Sequence, residues 1–171
     1  MSGFVCGLDA STSIVGYAFS DERKKIRDAG FLNISKLENN REKGKFVIGF
    51  LKNHAAIKYT EKINLEAALS GFGGGFTSQQ TIITLSRWNA ILEYILYEEL
   101  GIPVTLCDVN SMRKIILGAA WKKGIKPKEY VKMKLPEVVP NLKDFEKLNR
   151  KGEWDAHNSD MYDAVVCSLF G

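Results

Sequence analysis

The chain has 171 residues, 45% of them hydrophobic, and a net charge of +4, which suits one globular unit (1–171) with a single core. No apolar run approaches the roughly 20 residues that span a bilayer. The opening "MSGFVCGLD" has no basic region ahead of its apolar part, so neither a membrane anchor nor a signal peptide is expected and the protein is placed in a cytoplasm, bacterial or that of a phage-infected host. Cys6, Cys107 and Cys167 are odd in number and far apart, and His54 and His157 are the only histidines; a disulfide framework, a zinc site and a histidine triad are all disfavoured.

In chain order, "GFVCGLD" (3–9) is a short apolar run ending in an acid. The turn residues "STS" follow, and "IVGYAFS" (14–20) returns, so the two runs predict a hairpin. A charged turn, "DERKK", leads into a third strand at 28–34. Residues 38–58 carry Phe46, Phe50, Leu51 and Ile57 at helical spacing, against the weakening effect of Gly44 and Gly49. "KINLEAAL" (62–69) is a fourth strand with one acid, Glu66, among apolar neighbours. A long helical pattern over 78–100 starts with Ser78 as N-cap and stops at Gly101-Ile102-Pro103. A fifth strand covers 103–109, and Asn110 or Ser111 starts the next helix. Another helix begins at Pro127, 136–158 is rich in turn residues, and a final helix takes Ser159 as its N-cap.

Three strands in a meander, then alternating helices and strands, predict an α/β fold. Its mixed five-stranded sheet has antiparallel strands 1–3 and parallel strands 4–5, with helices on both faces. The 78–100 helix is apolar nearly all round, with Ile82, Leu85, Trp88, Leu92 and Ile95 on one side and Ile83, Ile91, Tyr94 and Tyr97 on the other. It therefore needs cover on two faces, from the sheet and a neighbouring helix or from a second subunit.

Four acids stand at element ends. Asp9 ends the first strand, Glu66 lies late in the fourth, and Asp160 and Asp163 are three apart on the last helix and so share a face. If strands one and four are neighbours, the four converge. Converging carboxylates repel and resist ionisation unless cations fill the site, and magnesium favours such hard oxygen ligands. Each acid alone also has a structural explanation: an Asx-turn at Asp9, a solvent-facing Glu66, and dipole complementation at Asp160 and Asp163. Between Arg113 and Lys134 stand Arg113, Lys114, Lys122, Lys123, Lys126, Lys128, Lys132 and Lys134 against the single acid Glu129. Beside a metal centre such an excess suits a polyanion; without one it is a solvated helix face.

"GLDASTSIVGYAF", "INLEAALSGFGGGFTSQQ" and "DMYDAVVCS" together resemble, in order and over nearly the whole chain, the RuvC-like resolvases, Holliday-junction endonucleases of the ribonuclease H-like fold. The resemblance implies that Asp9, Glu66, Asp160 and Asp163 ligate two Mg2+ ions, with Mn2+ as a substitute. It also implies a homodimer that cuts four-way junctions or other branched DNA. Phe72 or Phe76, in the glycine-rich 70–78 loop, would stack on a base, and Lys122, Lys123, Lys126 and Lys128 would take phosphates. The chain departs from the family in having Ala10-Ser11 after the first acid. Its 138–158 stretch adds Asp155 and His157 as alternatives to Asp160 for the third ligand. Two other functions compete: ribonuclease H-like cleavage of RNA–DNA hybrids, which the glutamate on the fourth strand disfavours, and junction binding without catalysis, which the full set of acids disfavours.

Overall fold

The computed structural model describes residues 3–68 and 78–170. Strands β1 (Phe4–Ala10), β2 (Ile14–Ser20), β3 (Ile26–Asn33), β4 (Thr60–Glu66) and β5 (Val104–Cys107) form one sheet in the order β3-β2-β1-β4-β5. β2 is antiparallel to both β1 and β3, whereas β4 is parallel to β1 and to β5. This is the mixed sheet expected from the sequence, and it makes β1 and β4 neighbours.

Alternation of side chains across the sheet divides the core in two. One face buries Leu8, Phe19 and Leu65 against Leu51 of α1 (Asn40–Asn53) and Trp88, Leu92 and Leu96 of α2 (Gln79–Leu100). The other buries Ala18 and Cys107 with residues of α3 (Val109–Leu117), α4 (Pro127–Val138) and α5 (Asn158–Leu169). All three cysteines are free and buried.

Local chemistry moves several boundaries. α1 ends at Asn53, earlier than the predicted helix, because His54 takes an extended backbone and its side chain accepts from the Ala56 N–H, starting a short 3-10 turn, Ala55–Tyr59. α3 starts ahead of Asn110 because Asp108 caps it, accepting from Ser111 N–H at 2.9 Å. Ser159 is not the cap of the last helix. α5 begins at Asn158, whose buried side chain accepts from the Lys147 N–H at 3.0 Å and donates to the Lys147 carbonyl at 2.8 Å. That pair of bonds sets the start of the helix, and Ser159 falls within its first turn.

α5 lies directly on β1 and β2, and two glycines permit the approach. A Cβ on Gly7 would stand 2.0 Å from the Ala164 carbonyl oxygen, and one on Gly16 2.2 Å from that of Asp160. Backbone cannot yield to such contacts as a side-chain tip can. Replacing Gly7 or Gly16 by alanine is therefore expected to cost about 1–3 kcal/mol, read as a lower urea midpoint. An unchanged midpoint would mean that α5 does not rest on these strands.

Candidate metal centre

Asp9 is the next-to-last residue of β1 and Glu66 the last of β4. Because the strands are parallel neighbours, both acids reach the same edge of the sheet, the carboxyl ends where open α/β sheets bind ligands. Asp163 descends from α5, which the two glycines hold close. One carboxylate oxygen from each of Asp9, Glu66 and Asp163 lies within 4.8 Å of the others.

The surroundings are poor in solvent. Asp163 is 3% exposed and pairs with Arg113, itself 6% exposed, the Nη2 donating to Oδ1 at 2.6 Å. Glu66 Oε2 is buried with no hydrogen-bond partner among the described residues. Burial, followed by the Asp163 charge and against the pull of Arg113, pushes the Glu66 carboxyl up to about 7. Burial and then the charges of Glu66, Asp163 and Asp160 raise Asp9 well above the usual carboxylate range. Asp163 is raised by burial even against Arg113. Without a further cation the three cannot all ionise comfortably. An all-oxygen donor set with an orphaned buried glutamate oxygen fits a hard divalent ion such as Mg2+.

The other predicted residues fall around this centre. Asp160 lies outside the close trio, and Lys128 donates to its Oδ1 at 3.2 Å and to Ser159 Oγ at 3.2 Å. Burial works to lower the Lys128 ammonium, but Asp160, Asp163 and Asp9 outweigh it and raise its pKa. His157 Nδ1 is 3.4 Å from Asp160 Oδ2, and its ring packs against Phe31. Asp155 accepts from the His157 N–H at 2.9 Å, closing the turn into α5. Neither residue joins the trio.

Lys122, Lys123 and Lys126 are exposed and form no ion pair among the described residues. The rest of the basic run is partly committed: Lys132 lies 3.8 Å over the Trp154 ring and Lys134 pairs with Glu137. Arg113 is a correction to the sequence reading, because it faces the buried acids and offers nothing to a polyanion in solution. Phe72 and Phe76 lie outside the described residues. Asn89 on α2 is a further site residue that sequence reasoning missed. It donates to the Glu66 carbonyl at 2.6 Å, its buried Oδ1 has no partner among the described residues, and the residue borders a cleft of about 160 Å³ shared with Asp9 and Glu66. The signal for it was a lone amide beside Trp88 on an apolar helix face.

No family model and no curated protein matches the chain. Solved structures do. RuvC from Thermus thermophilus superposes with a TM-score of 0.61 at 13% identity, over 97% of this chain and 91% of that one. The chain has the RuvC fold. RuvC from T. thermophilus in complex with a Holliday junction substrate aligns over 98% of this chain and 90% of that one, at 15% identity and a TM-score of 0.61. The yeast mitochondrial Holliday junction resolvase aligns over 98% and 76%, at 16% identity and a TM-score of 0.58. The fold is thus ribonuclease H-like, with Asp9 and Glu66 near the carboxyl ends of the neighbouring parallel strands β1 and β4.

The raised carboxyls couple stability to pH and metal. Glu66 titrates near 7 when folded against 4.5 as its reference value, so between these pH values the folded state holds more protons than the unfolded one. Stability is then lost as pH rises through that window. Asp21, held below the usual range by backbone and Arg27 bonds against its burial, is already ionised there and does not oppose the slope. Metal-free protein is expected to melt at lower temperature near pH 8 than near pH 5.5, and millimolar Mg2+ or Mn2+ to raise the melting temperature more at the higher pH. A metal effect independent of pH would contradict the assignment.

Proposed function

We propose that this chain is a divalent-metal-dependent endonuclease that hydrolyses phosphodiesters in branched DNA, with the four-way junction as its main substrate. The observation that carries the reading is the trio Asp9, Glu66 and Asp163, with oxygens within 4.8 Å at the carboxyl ends of β1 and β4. Support comes from the RuvC fold, one representative of which is described in complex with a Holliday junction substrate.

Asp9, Glu66 and Asp163 would hold Mg2+, or Mn2+ in its place, with Asp160 as a fourth ligand. Bound there, a pair of such ions supplies Lewis-acid polarisation of the scissile phosphate and lowers the pKa of the attacking water. The chain's own groups do the rest. Burial keeps bulk water from competing around Glu66 and Asp163. Lys128, held by Asp160 at 3.2 Å, is a cation that a DNA phosphate can draw away, freeing the carboxylate as substrate arrives. Lys122, Lys123 and Lys126 take phosphates farther along the strand. Phe72 and Phe76 are proposed to stack on exposed bases, with a gain of roughly 1–3 kcal/mol per base.

A homodimer fits the outer face of α2. Tyr94 and Tyr97 are 66% and 57% exposed, and Ile83 and Ile91 lie open beside them, an apolar stripe that a second copy would cover. Two centres related by a two-fold axis suit a four-armed substrate with its own approximate two-fold symmetry.

In a Mg2+-dependent assay on four-way junction, fork, linear duplex and RNA–DNA hybrid, nicking is expected on the branched DNAs, the junction first. Asp9→Asn should lower cleavage by a factor of roughly 10³ or more while junction binding persists. Normal cleavage by that variant would sink the metal assignment, and preferential loss of hybrid strands would make the protein a ribonuclease. Replacing Lys122 and Lys126 together by alanine should weaken binding to every DNA and reduce the salt slope by about 1–2; an unchanged slope would remove the two lysines from the interface.

A further inference from the structure

Arg113 is the one cation buried with the acidic trio among the described residues, and the branched-DNA reading gives it no task. It projects from α3 into the centre, and its bond to Asp163 Oδ1 occupies one of that carboxylate's two oxygens. Among the described residues its Nε, like Glu66 Oε2, is buried without a hydrogen-bond partner. A long, buried guanidinium whose bonding is incomplete is costly as mere packing, because removing charge from water must be repaid locally. Its planar fork suits fixing a carboxylate in one orientation, which an ammonium does less well.

The charges around the centre make the role specific. Ionised, Asp9, Glu66, Asp160 and Asp163 carry four negative charges, and Arg113 and Lys128 return two of them. The remaining two match one divalent ion. A second ion then arrives at a centre already neutral and needs the negative charge of a substrate phosphate, or the departure of Lys128 towards one. Lys128 is solvent-exposed and exchangeable, whereas Arg113 is fixed in the interior.

We propose that Arg113 is a positioning residue of the metal centre: it holds Asp163 so that one oxygen remains for a cation, and its fixed charge limits the DNA-free protein to a single divalent ion. This inference rests on the metal-dependent reading above.

The test counts Mn2+ bound to DNA-free protein near pH 8, by the loss of the free-ion EPR signal, for the unaltered chain, Asp9→Asn, Arg113→Met and Arg113→Lys. The unaltered chain should bind one ion. Arg113→Met removes a positive charge beside the site and should bind Mn2+ at least tenfold more tightly, or take up a second ion, while its DNA cleavage at saturating metal falls. Arg113→Lys keeps the charge and should restore the single ion, with cleavage only partly recovered because the fork is lost. General structural damage would weaken metal binding and cleavage together and could not produce this opposition. Two ions on the unaltered chain without DNA, or unchanged or weaker binding in a folded Arg113→Met, would overturn the proposal. If Arg113→Met does not fold, one-ion binding that Arg113→Lys preserves supports it, and two ions on either chain refutes it. Failure of Mn2+ to bind the unaltered chain, or binding that ignores Asp9→Asn, would instead bring down the metal-dependent reading itself.

Discussion

Repulsion among acids drawn together at a partly buried sheet end is the constraint around which the rest of the molecule is arranged. Three carboxylate oxygens within 4.8 Å of each other, taken as unit charges at an effective dielectric near 20, repel by about 3–4 kcal/mol per pair. The fold imposes this by parallel pairing of β1 with β4, which brings Asp9 and Glu66 to one edge, and by two glycines that let α5 carry Asp163 down onto the strands. A scaffold with no use for a cation would gain by replacing Asp9 or Glu66 with an apolar side chain. The arrangement is therefore a functional expense borne by an otherwise apolar core.

Two kinds of positive charge moderate that expense, and they differ in permanence. Arg113 is interior and donates from one Nη to Asp163; Lys128 reaches Asp160 from solvent with a flexible ammonium. An exposed lysine–carboxylate contact is worth little and is easily exchanged, which suits a group that must release its partner when a phosphate approaches. A buried pair is different, since removing one member leaves the other uncompensated. Together they form an inner charge that shapes the centre and an outer one that responds to substrate.

Much of this was legible in the sequence because it depends on local pattern. The hairpin at 3–20 is written in two apolar runs and the "STS" turn, and the mixed sheet follows from a meander that changes to strand–helix alternation, whereas the β1–β4 adjacency was a condition that the strand order met. Asp9 and Glu66 stand out as acids against apolar flanks, and the three-residue spacing of Asp160 and Asp163 marks a helix face. What escaped depends on contacts between distant segments. Arg113 reads as one more cation in a basic run, but helical rotation turns it inward with Met112 while Lys114 faces out. The tie from Asn158 to Lys147, which starts α5 ahead of Ser159, joins segments whose proximity no local pattern records. The helix α2, apolar nearly all round, was visible as one needing cover on two faces; among the described residues one face finds it, and Tyr94 and Tyr97 stay exposed.

The most direct measurement is anomalous diffraction at the manganese edge from crystals grown with Mn2+. The account predicts a peak bounded by carboxylate oxygens of Asp9, Glu66 and Asp163, with the Arg113–Asp163 bond intact. Manganese found only at surface carboxylates, with those three side chains bonded to one another and no ion between them, would contradict it.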